Sequence, residues 1–578
     1  MLESYDYNMS NFIIPILFLI DGIAFILAAV FAQYIGLDPN ATWGRSRYLL
    51  LFLGVTLIFI SLAVILSKKR GDNLFETIIK SETSKTVFLL GHLWAVIFTI
   101  YAGFITFGTF TSWTHTSHYY TQLADAFNKG NLYVDRQPDK SLLEAADPYD
   151  VINRLPFDDE IWDMSLYQGK LYLYWGPMPA LLIAPIQLIF AKKITDNYLV
   201  FFFSAGLLIL NSLIILKLWK RFYPQIPPGY VFICIPLIGL ILPIIWATNV
   251  PNVYEAAIGA GQFFLMGGIF FSLSLFEQGS SSDKRNLFLA GLFWACSVGS
   301  RAINAVSVIF LVLVVAFWIM KNLPRPINWM SCFRALVPLF IPLIAGALLI
   351  GWYNWARFDS PFEFGLKYQI TIFNLNKDAS LVFEPGYFFP NLYAYIFHPY
   401  EIIMGFPFIQ PTIVADTLKK FSITPSDFYH AGMITGLLFS APFLALGFVH
   451  LFSKNKTVNE TDSSDSPQPY KFVLLLFGGS FLLNFLILLF YFYGQTRFLV
   501  DSISQITLLA ILGYWQIISS KLSVNSPRSK LFLALGNFLL IFTICTSLLL
   551  AFSSETSRFE TFNPQFFEKI NEFLNIQQ

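Results

Sequence analysis

Phe472-Val-Leu-Leu-Leu-Phe-Gly-Gly-Ser-Phe-Leu-Leu-Asn-Phe-Leu-Ile-Leu-Leu-Phe490 contains no charged residue. A helix needs about 20 apolar residues to cross the ~30 Å hydrocarbon core of a bilayer. This stretch has that length and is apolar on every face, which a surface helix of a water-soluble protein is not. The blocks 12–32, 48–66, 87–110 and 531–551 read the same way. Across 578 residues, hydrophobic types make up 56% and charged types only 13%. Water-soluble chains carry about 25% charged residues, so this one lacks the charge to cover a water-facing surface. The sequence predicts an all-α, polytopic transmembrane protein.

Lys and Arg collect in cytoplasmic loops. Basic clusters at Lys68-Lys69-Arg70, 217–221, Lys284-Arg285, 321–334, 454–456 and 521–530 all fall on one side along a single path. That path predicts about 13 spans, at 12–33, 48–67, 86–110, 198–217, 228–247, 256–276, 287–301, 303–320, 335–352, 431–452, 472–493, 502–519 and 531–552. It puts the N-terminus inside and the C-terminus outside. The chain divides into an N-terminal hairpin with a cytoplasmic loop (1–85), a core (86–352) with a first outer loop (111–172), a second outer loop (353–430) and C-terminal helices (431–578). Both outer loops are expected to carry short surface helices. The first block is too long, and lacks the flanks, for a removable signal, so it reads as a retained helix. Segment 173–190 is apolar enough to span, yet spanning would leave a basic loop outside. It opens on Gly176-Pro177-Met178-Pro179, a poor start for continuous helix, and a re-entrant or surface-lying helix is expected. Residues 454–469 read as a flexible cytoplasmic linker.

A net charge of +1 gives no reason to expect nucleic acid as a partner. Cys234, Cys296, Cys332 and Cys545 show no metal-ligand spacing and no disulfide framework. The polar residues of interest gather on the outer side. His118, Gln122 and Asp125 recur at helical spacing and share one face, as in a short amphipathic helix on the membrane surface. Asp147, Asp150, Asp158, Asp159, Glu160 and Asp163 follow. Such carboxylates can act as a general base or bind a metal through oxygen; a solvated acidic loop is the plainer reading. Arg301 and Arg497 lie at outer helix ends, against the inside preference, so an anion is expected to hold them. A lipid phosphate fits bidentate Arg; an internal Arg497–Asp501 pair one turn apart is the alternative. Glu255 reads as an acid at a helix start.

Four stretches carry a resemblance to a known family. They are His118-Tyr-Tyr-Thr-Gln-Leu-Ala-Asp-Ala-Phe127 with Gly130, Asp163-Met-Ser-Leu-Tyr-Gln-Gly-Lys-Leu-Tyr-Leu-Tyr-Trp-Gly-Pro-Met-Pro-Ala180, Gly299-Ser-Arg-Ala-Ile-Asn304, and Tyr353-Asn-Trp-Ala-Arg-Phe-Asp-Ser-Pro-Phe-Glu-Phe-Gly365 with Arg497-Phe-Leu-Val-Asp501. In order and topological side they resemble the GT-C superfamily of membrane glycosyltransferases, in particular the bacterial group related to family 39 mannosyltransferases and lipopolysaccharide-core enzymes. The resemblance covers roughly 87–515. It implies a GT-C-like fold, a polyprenyl-phosphate sugar as donor, a glycan, lipid or protein acceptor, and an active site on the extracytoplasmic face of a bacterial plasma membrane. Asp125, Asp150 and Asp163 become the candidate catalytic bases. His118, Lys170, Tyr172, Arg301, Arg497 and Asp501 become candidates for holding the donor phosphate and substrate. No metal ligands are assigned, and a divalent metal stays an open alternative.

The sequence departs from that family at one place. The family sets an acid just after its first core span, and 112–118 here reads Ser-Trp-Thr-His-Thr-Ser-His. A later carboxylate, or His115 or His118, would have to serve. The rivals are a lipid-linked oligosaccharide polymerase or ligase, a lipid or glycan transporter, and a non-catalytic assembly subunit.

Overall fold

The computed structural model describes residues 18–32, 43–68, 82–113, 117–154, 161–276, 283–323, 328–420, 426–452, 469–522, 526–553 and 558–574. His115, Asp158, Asp159, Glu160 and almost all of the 454–469 linker lie outside them. The helices used below are α1 (Arg45–Lys68), α2 (Glu82–Ile105), α3 (Tyr119–Asn128), α4 (Met178–Phe190), α5 (Asp196–Phe222), α6 (Val253–Ser272), α7 (Asp283–Ser300), α8 (Ala305–Lys321), α9 (Trp329–Phe358), α10 (Pro469–Leu489), α11 (Val500–Leu522) and α12 (Pro527–Phe552).

Among the described residues, eight helices are long and apolar enough to cross a membrane. The count becomes nine if Pro228–Leu240 and Leu242–Asn249, bent by 44° at their junction, make one span. The chain is an integral membrane protein. Helix α9 has 30 residues and so runs about 45 Å, longer than the hydrocarbon is thick. Its last turns, with Tyr353, Asn354 and Arg357, therefore extend toward the outer loops. Helix α4 has 13 residues, about 20 Å, too short to cross. It lies against α3, where the Asn128 side chain donates to Ala184 O at 2.9 Å and Gln187 to Asp125 at 3.0 Å.

Polar side chains join the spans. Asn484, the one amide in the opening stretch, donates to Asp501 O at 2.7 Å and accepts from Ser307 at 2.6 Å. Gln262 of α6 meets Gln505 of α11 at 2.6 Å, and Asn211 of α5 meets Ser504 at 3.1 Å. Such contacts stand in for the hydrophobic effect, which is weak between helices in lipid.

The expected span at 431–452 is not one helix. It forms two short strands at His430–Ala431 and Met433–Ile434, a turn of α-helix at Leu437–Ser440, a 3-10 run at Pro442–Phe448 and another turn at Val449–Phe452. Gly432, Gly436 and Pro442 break the helix. Irregular backbone survives at membrane depth only where protein satisfies its polar groups. Here Thr543 accepts from Phe443 N at 3.2 Å, and Thr546 donates to Ser440 O at 2.9 Å.

The two long loops form one body. Strand β1 (Met164–Tyr167) pairs with β2 (Lys170–Leu173) through a two-residue turn, Gln168-Gly169, with φ of 49° and 71°. Positive φ at both positions matches the right-handed twist of a hairpin. The second loop docks beside β1: Ile370 N donates to Met164 O at 2.8 Å, and Asp163 N to Ile370 O at 2.7 Å. Lys377 pairs with Asp147 at 2.8 Å. Val134, Leu142, Ile161, Met164, Leu171 and Ile370 form the shared apolar core.

A Cβ at Gly513 of α11 would sit 2.0 Å from Leu446 O in the irregular segment. Backbone cannot yield as a flexible side chain does. Gly513→Ala is expected to destabilise the protein by about 1–3 kcal/mol, read as a lower melting temperature and an aggregated fraction in size-exclusion chromatography in detergent. An unchanged melt would show that the 3-10 run does not pack on α11.

Candidate active-site cavity

Asn252 caps α6, and Glu255 closes a reciprocal capping box with it. This fixes the first turn of α6, so Tyr254 and Glu255 have defined directions. Arg497 lies in the 3-10 turn that leads into α11. Its guanidinium is 3.6 Å from Glu255 Oε1 and rests over the Tyr254 ring at 4.2 Å. Arg301 occupies the extended residue after α7, with φ of −150°. Its Nε is 2.8 Å from Asp501 Oδ2 in the first turn of α11. Both guanidiniums lie 5.4 Å from the Phe498 ring. The alternative of an Arg497–Asp501 pair gives way to an exchange, Arg301 with Asp501 and Arg497 with Glu255. Arg497 precedes the helix, so helical one-turn spacing does not apply to it.

Asp163 has φ of 59°, a left-handed conformation that a short polar side chain tolerates at some cost. Its backbone is held by Ile370 O and by the Gln369 side chain. The turn aims the carboxylate inward, where Oδ2 accepts the Tyr254 hydroxyl. Burial pushes the Asp163 carboxyl above its ordinary range; hydrogen bonds from Tyr254 and Thr371 and the charges of Arg497 and Arg154 oppose the rise.

Asp163, Tyr254, Arg301, Arg497 and Phe498 line one cavity of about 480 Å³ between the joined loops and the helix ends. Trp162, Trp175, Tyr254, Phe373, Tyr491 and Phe492 supply aromatic wall. Arg357 completes it from the end of α9, with Nη1 donating to Leu173 O at 2.8 Å, Nη2 to Asn354 at 2.9 Å and Nε to Tyr353 O at 3.3 Å. A Cβ on Gly176 would be 2.2 Å from Gly299 O. Two of the quoted stretches thus meet backbone to backbone at the wall, where only glycine fits.

Of the residues singled out from sequence, Asp163, Arg301 and Arg497 line the cavity, and Asp501 stands behind Arg301. The others do not line it. Asp125 is taken by Lys193 and Gln187. Asp150 accepts from Ile152 N at 3.0 Å and starts a 3-10 turn. His118 is the exposed residue before α3. Lys170 is exposed beside the hairpin turn, over the Tyr133 ring at 4.6 Å. Tyr172 is buried against Phe358, with ring centroids 5.3 Å apart.

Sequence reasoning missed Tyr254 and Arg357, and gave Glu255 only its helix-start role. The signal for Arg357 was present, because an arginine ending a long apolar helix needs a reason to be there. Asp196 was also missed; its carboxylate accepts from the Ser117 hydroxyl at 2.5 Å and from Tyr119 N and Tyr120 N, and so caps α3. Among the described residues no group of three or more His, Cys, Asp or Glu is placed to hold a metal.

No family model matches the chain, and no curated protein matches it. Solved structures give weak likenesses. The apo oligosaccharyltransferase of Archaeoglobus fulgidus superposes with a TM-score of 0.45 at 11% identity, over 82% of this chain and 56% of that one. The same organism's oligosaccharyltransferase AglB, in complex with an inhibitory peptide and a dolichol-phosphate, gives 0.39 at 12% identity, over 80% and 56%. ArnT from Cupriavidus metallidurans, bound to undecaprenyl phosphate, gives 0.38 at 10% identity, over 85% and 79%. The chain spans about half the length of the oligosaccharyltransferases it matches.

The raised Asp163 pKa fixes the sign of a pH effect. The folded protein holds this proton more tightly than the unfolded chain, where an Asp titrates near 4. The associated stability is present below that pH and is lost as pH rises through the folded value. Asp163→Asn removes the loss. Its melting temperature is expected to exceed that of the wild type by a margin that grows from pH 4 to pH 8; a margin that shrinks over this range would contradict the burial of Asp163.

Proposed function

We propose that the protein is a membrane glycosyltransferase of GT-C type that moves a sugar from a polyprenyl-phosphate donor to an extracytoplasmic glycan, lipid or protein acceptor, in a bacterial plasma membrane. The observation that carries this reading is the company Asp163 keeps. One aromatic-walled cavity holds a buried carboxylate together with Arg301, Arg497 and Arg357. A sugar offers ring faces for aromatic groups, hydroxyls for a base and, when lipid-linked, a phosphate for arginines.

The reaction is a single displacement. The acceptor hydroxyl oxygen attacks the anomeric carbon, and Asp163 takes the hydroxyl proton. The bond from the anomeric carbon to the phosphate oxygen breaks, and its electron pair leaves with the lipid phosphate. Attack from the face opposite the phosphate inverts the anomeric configuration. The hydroxyls of Tyr254 and Thr371 take up only part of the accepting capacity of the Asp163 carboxylate, which leaves lone pairs for the acceptor. The raised pKa makes this carboxylate a stronger base than a solvated one. Phosphate is a competent leaving group, so the remaining demands are positioning and charge stabilisation. Asp125 and Asp150 have other partners and take no part.

Detergent-solubilised protein supplied with a radiolabelled polyprenyl-phosphate sugar and an acceptor glycolipid tests the scheme. A positioned general base contributes about 10²–10⁴-fold, so Asp163→Asn should lower transfer by about 100-fold or more. Asp125→Asn and Asp150→Asn should stay within a few-fold of the wild type. Wild-type rates in Asp163→Asn remove the base assignment. Transfer only from a prenyl-diphosphate oligosaccharide favours the polymerase or ligase reading.

A further inference from the structure

Ion pairing separates the three arginines of the cavity, whose own lining carboxylate, Asp163, is held by Tyr254. Arg301 is matched by Asp501, and Arg497 by Glu255. Arg357 is 4% exposed and has no such match. Among the described residues no carboxylate lies within ion-pair distance of it. The nearby acids are paired elsewhere: Glu363, which acts on Arg357 only through space, pairs with Lys367 at 3.1 Å, and Asp359 accepts from Tyr167 at 3.1 Å and Gln168 at 3.0 Å. Around its guanidinium are two carbonyls, one amide and the rings of Tyr353 and Phe358 at 3.8 and 4.6 Å.

Those dipoles and the α9 C-terminus offer partial negative charge only. A buried cation without a counter-ion is costly. A guanidinium has five N–H donors; carbonyl and amide oxygens take three, one on each nitrogen. One donor is left on Nη1 and one on Nη2. Both terminal nitrogens therefore keep donor capacity, and together they can meet two oxygens of one phosphate or carboxylate.

We infer that Arg357 is the specificity-determining cation of the cavity: it takes the acidic group of the ligand, while Arg301 and Arg497, neutralised by their own carboxylates, act as hydrogen-bond donors. This rests on the cavity being the substrate site of the proposed transferase. The acidic group is a phosphate or carboxylate, from the lipid donor or from an acidic sugar. Asn354 and Leu173 O fix the plane of the fork.

The test is thermal stabilisation of the full chain in detergent by undecaprenyl phosphate, by uncharged undecaprenol, and by glucuronate or glucose 6-phosphate. Undecaprenyl phosphate is expected to raise the wild-type melting temperature and undecaprenol much less. Arg357→Gln should melt at or above the ligand-free wild type yet bind undecaprenyl phosphate about tenfold or more weakly, since a bidentate charged pair is lost. Arg357→Lys, which keeps charge but not the fork, should recover part of that loss and serves if Arg357→Gln does not fold. A shift produced by the acidic sugars and lost in Arg357→Gln assigns the subsite to the acceptor. Undiminished response to every anion in both variants overturns the inference, as does an equal wild-type response to undecaprenol. Sugar transfer is measured in parallel. Absent transfer with an intact Arg357-dependent shift removes the transferase reading and leaves the anion subsite.

Discussion

Two ion pairs exchanged between helix ends hold the helices around the cavity in register. Arg301, after α7, reaches Asp501 at the start of α11; Arg497, before α11, reaches Glu255 at the start of α6. All four side chains are largely withdrawn from solvent. Removing one partner from such a pair costs about 3–5 kcal/mol, because the other is left buried and uncompensated. The pairs tie three helices at one level. They also leave each arginine with donors to spare and its charge already met, so the cavity can be polar without being strongly cationic.

The loops complete what the helix ends begin. The β1–β2 turn and the docking of 365–371 onto β1 place Asp163 over Tyr254, and Tyr254 also carries Arg497 on its ring face. Carboxylate, hydroxyl and guanidinium thus form one connected group, supplied by a loop, by α6 and by the turn before α11. The left-handed backbone at Asp163 is the local cost of that aim. It persists because Ile370 O and Gln369 hold both sides of the peptide.

Much of this was legible in residue order. The apolar blocks located most of the helices, and the basic clusters put the unusual polar residues on one side. That one-sidedness selected Asp163, Arg301 and Arg497, which do line a common cavity. It selected Asp125 and Asp150 equally, because nothing local distinguishes a carboxylate paired with Lys193 from one facing a cavity. Hydropathy also made 431–452 a span, since it measures apolar length. It has no view of Thr543 and Thr546, which let that backbone leave the helix.

The sequence alone determined that the chain enters the bilayer and approximately where. Transfer from water to hydrocarbon depends on residue type and run length, and both are written in order along the chain. Only the tertiary structure decided which arginine meets which acid, why Asp163 differs from its neighbours, and that among the described residues no carboxylate lies within ion-pair distance of Arg357. Those outcomes depend on distance and on exclusion of water between residues far apart in sequence. The same physics that makes Phe472–Phe490 readable by itself leaves its one amide, Asn484, unreadable until Ser307 and Asp501 are brought beside it.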